Sequence, residues 1–284
     1  MSGFAPPAQA AIDSDVARAM AEDIGTGDVT ASLLADDTQR GYVIAKESAV
    51  IAGRPWFDAC FLALDPALRI HWQVAEGERV APHTVVCTFE GRTRALVSAE
   101  RCALNFLQTL SATATRTAEY VAAIAGTGAR ILDTRKTLPG LRLAQKYAVR
   151  VGGGSNHRIG LFDALMLKEN HIHAAGSIAA AAAQAKARYP TLPLIIEVEN
   201  LDELQQALAT ACTRILIDDF SLDDMREAVR RAAGRIPLEV SGGVELARVR
   251  EIAETGIDCI SIGALTKHVQ AVDFSMRLGA SPTA

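Results

Sequence analysis

The sequence predicts an α/β protein in which a small N-terminal α/β sandwich domain precedes a TIM-like (β/α) barrel, either complete or incomplete. Short alternating runs bounded by Gly, Pro and Asp fill residues 41–91, and beyond residue 128 short β-type runs alternate with helical segments. Repeated βα units imply parallel strands joined by right-handed crossovers, which close naturally into a barrel. The 284 residues allow two domains, placed at 1–114 and 115–284, with the last residues able to pack back on the first domain.

The first domain is predicted to begin with a short helix over residues 15–23, which ends at a GTGD turn. The alternating runs of residues 41–91 predict the strands of a small sheet. Ser98 is well placed as the N-cap of a long helix reaching Ala125, which is either continuous or broken near 111–117.

Charged residues, hydroxyls or glycines follow six successive predicted strands of the barrel. In (β/α) barrels the loops at these strand ends carry the active site. The alternative is that loops are simply polar, which explains a single residue better than it explains the set. The residues are Asp133, Arg135 and Lys136; Lys168, Glu169, Asn170 and His171; Glu197 and Glu199; Asp218 and Asp219; Ser241, Gly242 and Gly243; and Gly263.

A local excess of positive charge lies between Asp133 and His173. This stretch has seven Lys or Arg against three Asp or Glu, although the whole chain has a formal net charge of -4. Arginine suits carboxylates and phosphates, and lysine acts as a mobile point charge. The stretch therefore predicts a site for a ligand with several anionic groups, bound by Arg135, Lys136, Arg158 and Lys168.

Other residues of the stretch have weaker interpretations. Lys146 and Arg150 recur at helical spacing and are expected on a solvent-exposed face, whereas Arg142 stays open. The GGGSN sequence at 152–156 does not follow a strand and open a helix, so it predicts a flexible turn and no dinucleotide fingerprint. His157 is a candidate donor to an anion. No metal is expected at His171 and His173, because a third suitable ligand is not evident nearby.

Two acidic strand ends and two glycine turns complete the candidate site. Glu197 and Asp218 follow consecutive strands and could share Mg²⁺ with a pyrophosphate, or could instead pair with nearby lysines. Glu199 and Asp219 are weaker candidates. Residues 241–243 and 263–264 follow the last two strands, where backbone N–H groups often bind a phosphate, although tight turns without a ligand are the alternative.

Composition excludes several classes of protein. The acidic total argues against binding to nucleic acid or to a membrane surface. The five cysteines are scattered without a CxxC pair, which fits reduced thiols in a cytoplasm. No export signal or spanning segment is expected.

Seven segments, which together span nearly the whole chain in order, carry a resemblance to a known family. They are EDIGTGDVT (22–30), SAERCALNFLQTLS (98–111), DTRKTLPGLR (133–142), KYAVRVGGGSNHRIGLFDALMLKENHI (146–172), EVEN (197–200), EVSGGV (239–244) and SIGALT (261–266). Together they resemble the quinolinate phosphoribosyltransferase family, also called nicotinate-nucleotide pyrophosphorylases, which are type II phosphoribosyltransferases.

The resemblance implies that quinolinate condenses with 5-phosphoribosyl 1-pyrophosphate and loses its 2-carboxylate, giving nicotinate mononucleotide, pyrophosphate and CO₂. It also implies a homodimer with shared active sites, and no redox cofactor. The implied roles are Arg135, His157, Arg158 and Lys168 on the quinolinate carboxylates; Lys136 near the pyrophosphate; Glu197 and Asp218 on Mg²⁺; Ser241, Gly242, Gly243 and Gly263 on the ribose phosphate; and Arg101 from the neighbouring subunit. Lys136, Lys168, Glu197 and Asp218 form the implied catalytic set.

Two residues depart from the family pattern. Leu138 replaces a hydroxyl residue, and Asp219 replaces an asparagine and so adds negative charge near the implied metal. One rival is a related enzyme of the molybdenum-transport-associated branch that uses another aromatic acid. A second rival is a non-catalytic anion-binding or nucleic-acid module, which the acidic total and the lack of aromatics among the basic residues disfavour.

Overall fold

The structure is a computed structural model that describes residues 4–281. Its helices are α1 (Gln9–Ile24), α2 (Arg54–Leu64), α3 (Thr93–Ala123), α4 (Arg142–Val151), α5 (Glu169–Ala175), α6 (Ile178–Arg188), α7 (Leu201–Leu208), α8 (Leu222–Ala232), α9 (Val249–Ala253) and α10 (Ala264–Lys267), with a 3-10 turn at Ala31–Leu33. Its strands are β1 (Thr38–Ala45), β2 (Ala49–Val50), β3 (Arg69–Trp72), β4 (Arg79–Val80), β5 (Val85–Arg92), β6 (Arg130–Leu132), β7 (Leu165–Leu167), β8 (Leu194–Val198), β9 (Arg214–Asp218), β10 (Leu238–Ser241), β11 (Cys259–Ser261) and β12 (Phe274–Leu278).

The chain forms two compact units. The second unit comprises residues 119–137 and 154–266, and the first comprises the residues before 119, residues 138–153 and those from 267 onward. Unlike the predicted boundary at residue 114, this division places α4 in the first unit; β12, which belongs to the last residues, lies there too. The side chains of α4 explain its place there, since Ala144, Tyr147 and Ala148 join the core of that unit.

The first unit contains an antiparallel sheet of four strands in the order β12-β1-β5-β3, and a separate pairing of β2 with β4. Strand β12 pairs with β1 over Gly41 to Ala45, so the last described strand completes this sheet. Aromatic side chains of α2 fill the core, where Trp56, Phe57 and Phe61 are fully buried.

Two helices of the first unit differ from the sequence prediction. Helix α2 lies within the region expected to contain only strands. Helix α3 begins at Thr93, ahead of the predicted cap, and runs without a break through 111–117. Thr117 donates its hydroxyl to the Thr113 carbonyl, so the hydroxyl-rich stretch is accommodated within the helix. Ser98 does not cap the helix, and its hydroxyl donates to the Asp28 carboxylate.

The prediction that Lys146 lies on a solvent-exposed face is wrong. Its exposed fraction is 2%, because α4 is buried around most of its circumference. Arg150 is half-buried, and its guanidinium donates to the Ala5 carbonyl.

The second unit contains six parallel strands in the order β6-β11-β10-β9-β8-β7. Within residues 4–281 the ladder is open between β6 and β7, so the barrel prediction is confirmed in its incomplete form. Leu194, Ile196 and Val198 of β8 are fully buried, as are Ile215 and Ile217 of β9. Such continuous apolar strands are typical of a parallel sheet that is covered on both faces.

Register within this sheet brings the strand ends to one edge. Ser241, the last residue of β10, pairs with Asp218, the last residue of β9. Residues after the ends of parallel strands therefore meet on the same side of the second unit. Across the described part of the chain, no helix has the length and apolar composition needed to cross a membrane.

Candidate active site

The strand ends of the second unit line a cavity of about 220 Å³. This is the edge at which the sequence predicts an active site. The lining residues are Thr134, Arg135, Lys136, His157, Arg158, Met166, Lys168, Glu197, Leu216, Glu239, Ser241 and Ser261. All five predicted anion-binding side chains of the second unit are among them, together with Glu197 and Ser241.

A buried carboxylate holds two loops of the site together. Asp133, directly after β6, is fully buried and accepts hydrogen bonds from Asn156 Nδ2 at 2.6 Å and from the His157 N–H at 2.8 Å. Beside it, the Lys136 carbonyl accepts a hydrogen bond from the Thr266 hydroxyl at 2.8 Å. These bonds fix the backbone that carries Arg135, Lys136 and His157.

Two guanidinium groups lie near each other in the cavity. Burial lowers the pKa of Arg158, and the positive charge of Arg135 lowers it further. The Arg158 guanidinium also donates to the Ala164 carbonyl at 3.2 Å, which restrains its direction. Paired planar forks suit a ligand with two carboxylates.

His157 is held by protein groups at both ring nitrogens. Nδ1 accepts a hydrogen bond from the Arg158 N–H at 2.7 Å, and Nε2 lies 3.3 Å from Glu239 Oε1. Glu239 was not among the predicted site residues. The sequence feature that points to Glu239 is its position, as a carboxylate inside the apolar strand that precedes the SGG turn. Ser261, also missed, is the last residue of β11.

The two predicted metal-binding carboxylates have different surroundings. Glu197 forms an ion pair with Lys168, with Oε2 2.5 Å from Nζ. Burial and the negative charge of Glu197 raise the pKa of Asp218, while Lys168 and Lys136 oppose this shift. No group of three or more His, Cys, Asp or Glu that could hold a metal occurs among the described residues.

Two of the three glycines in the predicted phosphate loops, Gly242 and Gly263, leave little space for a side chain, whereas Gly243 has no neighbour within 4 Å of an added Cβ. Gly242 and Gly243 have φ angles of 101° and 51°, a region that favours glycine. A Cβ added at Gly242 would lie 3.2 Å from Asp218 Oδ1, and one at Gly263 would lie 2.8 Å from Lys136 Cδ. Glycine at these positions therefore leaves room for Asp218 and Lys136.

The remaining predicted residues lie elsewhere or have other partners. Arg101 belongs to the first unit and is exposed on α3, and Arg142 also belongs to the first unit. His171 accepts a hydrogen bond from the Lys168 N–H at its Nδ1 and so caps α5. Ser155, in the predicted turn, forms a bridge with Leu132 at the end of β6.

Sequence comparison identifies the family. The family model described as "Quinolinate phosphoribosyl transferase, N-terminal domain" matches residues 28–111, and the corresponding C-terminal domain model matches residues 113–277. A curated relative from Synechocystis, a probable nicotinate-nucleotide pyrophosphorylase [carboxylating], is 44% identical over 94% of this chain and 92% of its own. The nicotinate-nucleotide pyrophosphorylase [carboxylating] of Mycobacterium leprae is 40% identical over 93% of this chain and 95% of its own.

Structure comparison agrees with sequence comparison. A solved nicotinate-nucleotide pyrophosphorylase from Francisella tularensis superposes with a TM-score of 0.95 at 42% identity, covering 98% of this chain and all of that one. The resemblance read from the motifs is therefore confirmed, and the chain belongs to the quinolinate phosphoribosyl transferase family.

Proposed function

We propose that this protein is the quinolinate phosphoribosyltransferase of NAD biosynthesis, a decarboxylating pentosyltransferase that converts quinolinate and 5-phosphoribosyl 1-pyrophosphate to nicotinate mononucleotide, pyrophosphate and CO₂. One observation carries the proposal. In a member of this family, a single cavity is lined by Arg135, Lys136, Arg158 and Lys168 beside the carboxylate of Glu197. These side chains suit the binding of two polyanionic substrates. The proposed reaction needs neither an acid–base pair nor a nucleophile from the protein.

Quinolinate has two adjacent carboxylates, and the neighbouring guanidiniums of Arg135 and Arg158 match them as two planar forks. Lys168 supplies a mobile positive charge at the same cavity, where it forms an ion pair with Glu197. His157 borders the carboxylates in this arrangement. Both of its nitrogens already face protein groups, so it is better suited to shaping the pocket than to donating a new hydrogen bond.

The second substrate carries a phosphate and a pyrophosphate. We assign Ser241, Gly242, Gly243 and Gly263 to the ribose phosphate, because the glycines let an anion approach the backbone. Lys136, which packs against Gly263, is assigned to the pyrophosphate.

Glu197 and Asp218 are the residues that would hold Mg²⁺. The donor set fits, because Mg²⁺ binds proteins through one or two carboxylates and takes its other ligands from water and substrate phosphates. Burial and, after it, the negative charge of Glu197 raise the pKa of Asp218, and a divalent cation would relieve the repulsion between the two carboxylates. When bound, Mg²⁺ neutralises charge on the departing pyrophosphate.

The reaction needs positioning and charge stabilisation. The arginines hold the pyridine ring so that its nitrogen faces the ribose carbon that loses pyrophosphate, and Lys136 stabilises the charge that develops on the leaving group. Alkylation makes the ring nitrogen cationic. The bond to the 2-carboxylate then breaks and CO₂ leaves, while its electron pair stays on carbon 2, stabilised by the adjacent cationic nitrogen, and takes up a proton.

We propose further that the active form is a homodimer in which Arg101 enters the partner subunit's cavity. Arg101 lies on an exposed face of α3, one turn after Ser98, whose hydroxyl donates to Asp28 at 2.8 Å. In the segment after Asp28, Val29 is 81% exposed and Leu33 is 84% exposed. Apolar side chains this exposed beside a functional cation favour a surface that another chain covers.

The second unit has a matching feature. Leu161 and Phe162 are 74% and 75% exposed, three and four residues after Arg158 in the chain. Their loop is fixed because Asp163 accepts hydrogen bonds from the Ile159 and Gly160 N–H groups. If Arg101 of one subunit reaches the cavity at Arg158 of the other, two exposed apolar pairs come close to that interface. They are Val29 and Leu33 of the first subunit and Leu161 and Phe162 of the second.

A cytoplasmic location is also proposed. All five cysteines are free and buried, which fits a reducing compartment.

The proposal is tested by incubating the protein with 5-phosphoribosyl 1-pyrophosphate and Mg²⁺ plus either quinolinate or nicotinate. Nicotinate mononucleotide and CO₂ should form from quinolinate. Product from nicotinate alone, or none from either, would contradict it. The molybdenum-transport-associated alternative is not favoured, because the relatives matched over 93% or more of this chain are nicotinate-nucleotide pyrophosphorylases.

A further inference from the structure

A buried carboxylate among the residues that line the candidate active site forms an ion pair with a half-buried arginine. Glu239, in β10, is fully buried, and its Oε2 accepts a hydrogen bond from Arg214 Nη1 at 2.9 Å. Its other oxygen, Oε1, lies 3.3 Å from His157 Nε2. Burial by itself would raise the pKa of Glu239, but His157 and Arg214 hold it below its ordinary value. Glu239 is therefore a carboxylate that faces the ring of His157.

The hydrogen bonds of His157 select which tautomer of its ring is present. Nδ1 accepts from the backbone N–H of Arg158, so the Nδ1 lone pair is occupied and that nitrogen carries no proton. The ring proton then lies on Nε2, where the negative charge of Glu239 stabilises it. Glu239 and the Arg158 backbone together select one tautomer and one ring orientation.

The orientation of the His157 ring affects the position of Arg158. The Arg158 N–H that bonds the ring belongs to the residue whose guanidinium lines the cavity. On the other side, Asp133 accepts the His157 N–H. The backbone at 157–158 is thus held by Asp133 from one side and, through the imidazole, by Glu239 from the other.

We propose that Glu239, anchored by Arg214, is a positioning residue that fixes the ring of His157 and thereby the approach of Arg158 to the quinolinate carboxylates. This inference rests on the proposed function and adds a residue to it. It distinguishes the two substrates, because Glu239 acts on the side of the cavity assigned to quinolinate, whereas Gly263 and Lys136 are assigned to the phosphates.

The test is Glu239→Gln, which removes the charge and keeps the size. We expect KM for quinolinate to rise about tenfold, with KM for 5-phosphoribosyl 1-pyrophosphate changed by less than about twofold. Arg214→Gln leaves Glu239 in place but removes its anchor, and it should change the same KM in the same direction by a smaller factor.

Glu76→Gln is the matched control. Glu76 is a carboxylate of the first unit that accepts hydrogen bonds from the Gly53 N–H and the Tyr147 hydroxyl, so its replacement also disturbs a hydrogen-bonded carboxylate. It should leave both KM values unchanged. If Glu239→Gln leaves the quinolinate KM at the wild-type value, or raises both KM values equally, the inference is wrong.

A second measurement determines the tautomer of His157 in the wild-type protein and uses a variant only to assign its signals. In ¹⁵N–¹H spectra, with His157 assigned by comparison with His157→Asn, the ring should be protonated at Nε2 and not at Nδ1. The opposite tautomer would overturn the inference whatever the enzyme does. Failure of the wild type to convert quinolinate would instead refute the proposed function and leave this readout standing.

Discussion

Gly263→Ala tests whether the position of Lys136 controls activity. A Cβ at residue 263 would lie 2.8 Å from Lys136 Cδ, whereas ordinary contacts begin near 3.4 Å, so the lysine must move by about 0.6 Å. Gly263 does not have a positive φ, so the substitution adds bulk without backbone strain. Lys136 is exposed and can move away, so the free energy of unfolding should change by less than about 1 kcal/mol.

Activity should change much more than stability. Displacing Lys136 and adding a methyl group at a glycine assigned to the ribose phosphate weaken charge-assisted contacts; loss of one such contact is worth about 1.5–3 kcal/mol, so kcat/KM for 5-phosphoribosyl 1-pyrophosphate should fall by up to roughly 10- to 100-fold. Steady-state kinetics and thermal unfolding of the same preparation measure both quantities.

Gly128→Ala is the matched control. Gly128 also lies in the second unit, does not have a positive φ, and would give its Cβ no neighbour within 4 Å. It should keep wild-type kinetics. If Gly263→Ala is as active as Gly128→Ala, the assignments of Lys136 to the pyrophosphate and of Gly263 to the ribose phosphate are both wrong.

Three further changes have defined outcomes. Burial raises the pKa of Asp58 from 3.8 to about 6, so ionisation of this carboxyl destabilises the fold as pH rises through that window. Asp58→Asn should therefore raise the free energy of unfolding by on the order of 2–3 kcal/mol above pH 6 and leave it unchanged below pH 4. Equal denaturation midpoints of the variant and the wild type at pH 7 would contradict this. Asp219 has a φ of 56°, which asparagine also adopts readily, so Asp219→Asn should keep stability and raise the Mg²⁺ concentration for half-maximal rate by a few-fold through loss of one nearby charge. Arg101→Ala and Lys168→Ala should each be inactive and should regain activity when the two proteins are refolded together; heterodimers without activity would refute shared active sites.

The sequence predicted the second unit well because its signals are local. Each apolar β-type run is followed by a helical segment. The sequence itself shows which residue types stand at the strand ends, as at Asp218 and Ser241. The parallel arrangement then brings those ends together without further information.

Long-range packing explains the errors. Helix α2 was missed because its apolar residues continue a region of short strands, although Pro55 at its start is a helix signal. Lys146 recurs at the spacing of an exposed helix face, and only the tertiary structure shows that it is buried. Glu239 was overlooked because its partners, His157 and Arg214, are distant in sequence.

The most direct test of the proposed activity uses quinolinate labelled with ¹³C in the 2-carboxylate. With 5-phosphoribosyl 1-pyrophosphate and Mg²⁺, each nicotinate mononucleotide formed should be accompanied by one pyrophosphate and one labelled CO₂. Label retained in the mononucleotide, or CO₂ released without pyrophosphate, would contradict the proposed function.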